Sequence, residues 1–316
     1  MRPKKTLSDL LQIKYPLIIA PMFLISNTKM VIEALNFGVS AAFPALNYRT
    51  TDELRAAIKE IKLASSESFG VNLIVNKSNP KYKGQLDVLM EEVVPYIITS
   101  LGSPEEVIKR AHKKGIKVFC DVTNLAYAKK VESLGADAII AVNNKAGGHC
   151  GDENPMKLIE ELTANCNIPV ITAGGVANKK QLNEAMNWGA AGASVGTIFI
   201  ACDEANISQE YKQAMVDYDA KDIILTDKIS GSHLTIINTP YVQKVGAKAS
   251  WWERTLLKNK WLKKYVKMFI YVRGMNQVKK AAEGATYKTF WCAGPSIEYV
   301  KKIQPIKGIL SEFFKV

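Results

Sequence analysis

Long apolar runs are missing from this chain of 316 residues: it has no stretch of eighteen consecutive apolar residues, so no membrane-spanning helix is expected. Cysteine is sparse. The five residues Cys120, Cys150, Cys166, Cys202 and Cys292 are odd in number, widely spread and never in a C-x-x-C pair. That argues against a disulfide framework and structural zinc, predicts no metal centre and suits a reducing cytoplasm. The start, Met1 to Lys5, is basic, but the apolar stretch 7–11 is short, broken by Ser8 and Asp9, and followed by no small-residue cleavage site. No secretory signal is expected, and a cytoplasmic location is. Acidic residues are almost lacking between 248 and 280, where ten lysines and arginines face Glu253 alone. The net charge of +12 is therefore concentrated in one segment, which argues against nucleic acid as a partner.

What the chain does have is apolar material, 47% of its residues, enough for one large core. Short apolar runs at 17–20, 39–43, 69–75, 96–99, 117–122, 138–142, 169–172 and 193–199 are rich in Val, Ile, Phe and Ala. Such runs fit strands buried on both faces of a parallel sheet. Between them lie amphipathic helical segments such as 51–63, 104–114 and 179–188. Ser103 with Glu106, and Asn178, read as N-terminal caps. Gly38, Gly115, Gly135 and Gly189 stand where left-handed C-terminal caps are wanted. Eight strand–helix alternations predict an α/β chain folded as a (β/α)₈ TIM barrel. No G-x-G-x-x-G follows the first strand, which excludes the usual dinucleotide-binding sheet. The pattern breaks after residue 199. Residues 1–202 and 291–316 are read as the barrel, and 203–290 as an inserted helical lid or substrate lobe with a loop-like stretch at 230–246.

Barrel sites form at the C-terminal ends of the strands. After the seventh expected strand stands Ala173-Gly174-Gly175, and at the exit of the eighth Gly196-Thr197. Glycines there let backbone N–H groups approach an anion, so the two loops predict a phosphate site. After the sixth strand comes Ala146-Gly147-Gly148-His149-Cys150-Gly151. Three glycines around a histidine describe backbone lying close to a ligand with an imidazole aimed at it. Of the other histidines, His112 falls in an expected surface helix, where exposure is the ordinary explanation, and His233 falls in the inserted lobe, from which it could face the site but is not assigned to it. Cys150 beside His149 is no catalytic pair, because sequence neighbours rarely point at each other.

Together with Pro16-Leu17-Ile18-Ile19-Ala20-Pro21-Met22, Gly70-Val71-Asn72, Ser230-Gly231 with Asn238, and Ala293-Gly294, these motifs resemble the nitronate monooxygenase family. The FMN-dependent enoyl-acyl-carrier-protein reductases and some NADH:quinone reductases are similar in the same places. The resemblance implies FMN as cofactor. Ala20, Pro21 and Met22 would offer backbone to the flavin ring, Asn72 would hydrogen-bond it, and Ala146, Gly147 and Gly148 would pass beside it. Ala173, Gly174, Gly175, Gly196 and Thr197 would hold the phosphate, and His149 would be the catalytic acid or base. The implied reaction is oxidation of a small nitronate or nitroalkane with O₂. The alternatives are an NAD(P)H-dependent reductase of a quinone or enoyl thioester, and a flavin-binding protein without turnover. The chain departs from the family at Lys145, where an acid is usual, and lacks the two arginines that usually follow the position of Gly231.

The segment 251–272, if helical, places Trp261, Tyr265 and Phe269 on one face and Lys260, Lys263, Lys264 and Lys267 on the other. Amphipathicity is the usual state of a surface helix, so a lid is expected there, with docking on an anionic surface as the alternative.

Overall fold

A computed structural model describes residues 5–76, 79–227, 233–247 and 290–316. Eight parallel strands close on themselves: β1 (Leu17–Ile19), β2 (Ser40–Pro44), β3 (Gly70–Ile74), β4 (Tyr96–Ser100), β5 (Lys117–Val122), β6 (Ala138–Val142), β8 (Val170–Ala173) and β9 (Gly192–Val195). The closure pairs Ile19 of β1 with Val195 of β9. The short strand β7 (Gly148–His149) lies outside the barrel. The expected TIM barrel is the observed one, and each of the eight apolar runs contributes a strand. The last stops earlier than the run itself, because Gly196 turns the chain into a 3₁₀ turn at Thr197–Phe199, with Phe199 N–H bonded to the Gly196 carbonyl at 2.8 Å.

The helix starts follow local chemistry. Asn178 caps Lys179–Asn187 through the Gln181 N–H, as expected. The expected Ser103 cap does not form: the helix Glu105–His112 begins after Pro104 with no side-chain cap, and Glu106 accepts the Tyr82 hydroxyl at 3.0 Å. Gly38, Gly115, Gly135 and Gly189 all have positive φ, which their lack of a Cβ makes inexpensive.

Strand alternation sorts the core into two shells. Along β5, Val118, Cys120 and Val122 pack in the outer cluster with the helices, whereas Phe119 packs in the inner one. The inner cluster fills the barrel with Ile18, Tyr96, Ile98, Phe119, Ile140 and Ile171. The helix Leu7–Leu11 joins it through Leu7, Leu10 and Leu11 and closes one end, with Leu7 N–H on the Ala191 carbonyl at 2.7 Å. Each fully buried side chain of this size contributes about 1.5–3 kcal/mol. Inside, Tyr96 stacks on Phe119 at 4.8 Å, and its hydroxyl lies 2.8 Å from Ser40 Oγ. Ser40 gives its own proton to the Ser68 carbonyl at 2.6 Å, so Tyr96 is the donor of the pair. Tyr96→Phe should therefore cost only about 1 kcal/mol in urea unfolding, since no buried donor is orphaned.

Within 203–290 the described residues are not mainly helical. They include the helix Gln209–Asp217, then β10 (Ile223–Thr226) and β11 (Leu234–Ile237), an antiparallel pair, and the helix Pro240–Val245. The stretch expected to be loop-like thus holds a strand and a helix. Thr235, Ile236 and Ile237 alternate poorly, but they are β-branched and all pair with β10, while Leu234 and Thr235 also pair with β7. The amphipathic stretch 251–272 and the Ser230-Gly231 motif lie outside the described residues. The final helix, Ile306–Phe314, packs back on the barrel's helical layer, with Phe314 stacked on Tyr15 at 4.2 Å.

Candidate active site

The C-terminal ends of the strands open into a cavity of about 950 Å³. All thirteen residues expected at the site line it: Ala20, Pro21 and Met22 after β1, Asn72 in β3, Ala146 to His149 after β6, Ala173 to Gly175 after β8, and Gly196 and Thr197 after β9. Five separate chain segments thus meet at one place.

Each segment is held by identifiable bonds. The turn after β1 is clasped by Ser26, which accepts the Met22 N–H at 2.9 Å and donates to the Ala20 carbonyl at 3.1 Å. The loops after β6 and β8 are tied together by the buried Asn143. Its Nδ2 donates to the Gly174 carbonyl at 3.0 Å, and its Oδ1 accepts the Lys145 N–H at 2.8 Å. Gly174 and Gly175 have φ of +110° and +81°. Among the described residues the N–H groups of Gly175, Gly196 and Thr197 have no protein acceptor, and such groups gathered around one hollow suit an anion. Thr197 Oγ1 accepts the Gly294 N–H at 3.0 Å, so its own proton is left for an acceptor in the cavity.

The glycines of the β6 loop serve different ends. A Cβ on Gly147 would meet Thr197 Oγ1 at 2.8 Å and Gly294 N at 2.9 Å, so protein packing alone requires that glycine. Gly148 has φ +73° and nothing within reach of an added Cβ. His149 does not sit in a free loop: β7 pairs with β11, His149 opposite Leu234 and Gly148 opposite Thr235. Thr235 Oγ1 donates to the Ala146 carbonyl at 2.7 Å. The imidazole is reached from the cavity and has no side-chain hydrogen bond among the described residues. The walls around it still strip away enough water to push its pKa below the ordinary histidine value. Neutral imidazole with a free lone pair is a competent proton acceptor at neutral pH.

Sequence reasoning passed over a carboxyl in this cavity. Asp121 follows Phe119 on the inward register of β5 and lines the cavity. Burial pushes its pKa up to about 6, offset in part by a hydrogen bond from Ser100 Oγ at 2.5 Å. The available signal was an acid at the inward-facing C-terminal end of an apolar strand. The thiols are unreactive by comparison. Burial raises the pKa values of Cys150 and Cys292, the latter to about 11, and Cys150 Sγ faces the His233 carbonyl rather than His149. His233 is exposed and lies 3.4 Å from Asp152, and His112 pairs with Asp137 at 3.0 Å. Among the described residues there is no cluster fit to hold a metal ion and no helix long and apolar enough to cross a membrane.

A closed barrel with a large cavity at its strand ends, lined by glycine turns and a histidine, has the form of a barrel enzyme. The family model of nitronate monooxygenase matches residues 76–315, and the chain belongs to that family and is an oxidoreductase. A dehydrogenase of an octahydro-indene-carboxyl-CoA from Rhodococcus jostii is 27% identical over 77% of this chain and 68% of its own length. A Staphylococcus saprophyticus protein described as a probable nitronate monooxygenase is 27% identical over 78% of this chain and 81% of its own. Among solved structures, FabK from Thermotoga maritima superposes with a TM-score of 0.85 at 26% identity, covering 98% of this chain and 95% of that one. The nitroalkane oxidase of Streptomyces ansochromogenes shares the fold, with a TM-score of 0.81 at 22% identity over 97% and 96% of the two chains.

Proposed function

We propose that the cavity binds FMN and that the protein oxidises a small nitronate or nitroalkane with O₂. The observation that carries this reading is the meeting, in one cavity, of three unpaired N–H groups at the β8 and β9 exits with the imidazole of His149. The cavity volume and donor set fit the group. Gly174, Gly175, Gly196 and Thr197 would hold the phosphate by backbone N–H groups and one hydroxyl. Ala173 and Ala146 to Gly148 would flank the cofactor, and Ala20 to Met22 would line the ring. Asn72 would bond it through Oδ1, because its Nδ2 already donates to Ile98 O and Ser100 Oγ.

When bound, FMN supplies the electron transfer and oxygen chemistry. The protein's own residues do the rest. His149, neutral at pH 7, accepts the α-proton of a nitroalkane and as imidazolium steadies the nitronate that remains. The β7–β11 pairing keeps the imidazole from drifting, and the inner core seals the cavity floor against water.

A second reading is an NAD(P)H-dependent reductase acting on a quinone or enoyl thioester. It is favoured by the CoA-dehydrogenase relative and by Lys145, which brings positive charge to the cavity wall where the family usually has an acid. An anaerobic absorbance spectrum separates the readings. Flavin bands that persist with NADH or NADPH and bleach with a nitronate support the first. Rapid bleaching by the nicotinamide supports the second, and colourless protein removes both.

A further inference from the structure

Asp121 belongs to a directed chain of hydrogen bonds at the cavity floor. Asn72 Nδ2 donates to Ser100 Oγ at 2.7 Å, and Ser100 Oγ donates to Asp121 Oδ2 at 2.5 Å. The Asn72 Nδ2 group also donates to the Ile98 carbonyl at 3.2 Å. Each proton of Asn72 and Ser100 is thus spent on the protein. What Asn72 can turn toward an occupant is its carbonyl oxygen, an acceptor. An ionised Asp121 beside it would add only further acceptors, and this stretch of wall would offer no donor.

The pyrimidine edge of a flavin alternates carbonyl, N–H and carbonyl. An acceptor that takes the N–H leaves a neighbouring carbonyl needing a donor. We propose that Asp121 supplies it: bound flavin is held with Asp121 protonated, its O–H donating to a carbonyl of the pyrimidine edge. The proposal rests on the flavin reading of the cavity. It makes Asp121 a second proton-holding residue of the site, distinct from His149, and makes flavin affinity depend on pH.

The surroundings agree. Desolvation has already moved Asp121 up to about 6, against the pull of Ser100, so a bound carbonyl need shift it little further to hold the proton at neutral pH. The titratable and charged groups on the facing wall are Tyr127 and Lys130 on the helix Leu125–Ser133, Lys145 in the loop after β6, His149 on β7, and Cys120 on β5 itself. The Cys120 thiol is pushed up to about 12 and stays neutral. β3 and β4 contribute Asn72, Thr99 and Ser100, which carry no charge. His149, whose pKa burial lowers, is the other proton-holding group argued for this site.

The test is the FMN dissociation constant of the full chain between pH 5 and pH 8, for the parent protein and Asp121→Asn, read as the ratio of the two. The titrations of the FMN phosphate and of His149 occur in both proteins and cancel. The side-chain amide of the Asp121→Asn variant offers an N–H at every pH. The ratio of parent to variant Kd should therefore be flat below about pH 6 and climb above it, by up to roughly tenfold per pH unit for one linked proton. Ser100→Ala leaves Asp121 in place but removes the bond that lowers its pKa, so the climb should begin at higher pH. A ratio that stays flat, or falls as pH rises, overturns the proposal while leaving the flavin reading intact. Should neither protein bind FMN, it is the flavin reading that fails. If Asp121→Asn does not fold, the parent against Ser100→Ala decides: coincident profiles overturn the proposal.

Discussion

Replacing His149 by alanine should leave the cofactor bound and cost turnover of a neutral nitroalkane about 10²–10⁴-fold, the usual worth of a positioned general base. The cofactor should stay because the loop's geometry does not depend on the imidazole. β7 is held by β11, and Thr235 ties down the Ala146 carbonyl at 2.7 Å. A pre-formed nitronate, which has already lost the α-proton, should suffer far less from the same substitution. The contrast between the two substrates is the decisive measurement. Equal losses on both would make His149 a positioning residue, and no loss on either would exclude it from the chemistry. The pH profile adds a sign. Burial lowers the His149 pKa, so the active neutral form persists below the ordinary value of 6.5. The acid limb of kcat/KM should therefore lie under that value in the parent and vanish in His149→Ala.

The barrel and its glycine turns were legible because both rest on short-range chemistry. A strand buried on two faces must be apolar throughout, and a left-handed turn or a tight approach to backbone must be glycine, so the eight barrel strands and Gly174-Gly175 announce themselves. What stayed hidden depends on partners distant in sequence. Asp121 looks like one acid ending the run KVFCDV; its meaning comes from Ser100 and Asn72, which lie 21 and 49 residues away and reach it only through barrel register. β11 was hidden for the same reason, since Leu234–Ile237 becomes a strand by pairing with the loop that carries His149. At Gly147 the expectation was a close approach of backbone to a ligand, and the close approach visible in the protein itself is to Thr197 and Gly294.

Gly174 and Gly175 offer a sharper test of the cradle, because adjacent glycines of similar backbone should respond very differently to the same change. Both have positive φ, so alanine at either introduces backbone strain of about 1–3 kcal/mol. At Gly175 the added Cβ would meet the Lys145 side chain at 3.1 Å, and that flexible chain can move aside. At Gly174 it would fall onto the Ala146 backbone nitrogen and within 2.5 Å of Asn143 Oδ1, neither of which can yield. Overpacking a rigid site costs about a further 1–3 kcal/mol. The displaced group matters more than the sum. Asn143 also receives the N–H groups of Lys145, Ala146 and Gly151, at 2.8, 3.3 and 3.2 Å. Shifting it would move the loop that carries His149 as well as the loop proposed to hold the phosphate. Gly174→Ala should thus unfold at a lower urea concentration than Gly175→Ala, bind FMN far more weakly and lose activity out of proportion to the flavin it retains. If the two variants behaved alike, the loops after β6 and β8 would not be mechanically joined through Asn143, and the cradle and the base would have to be treated as independent parts.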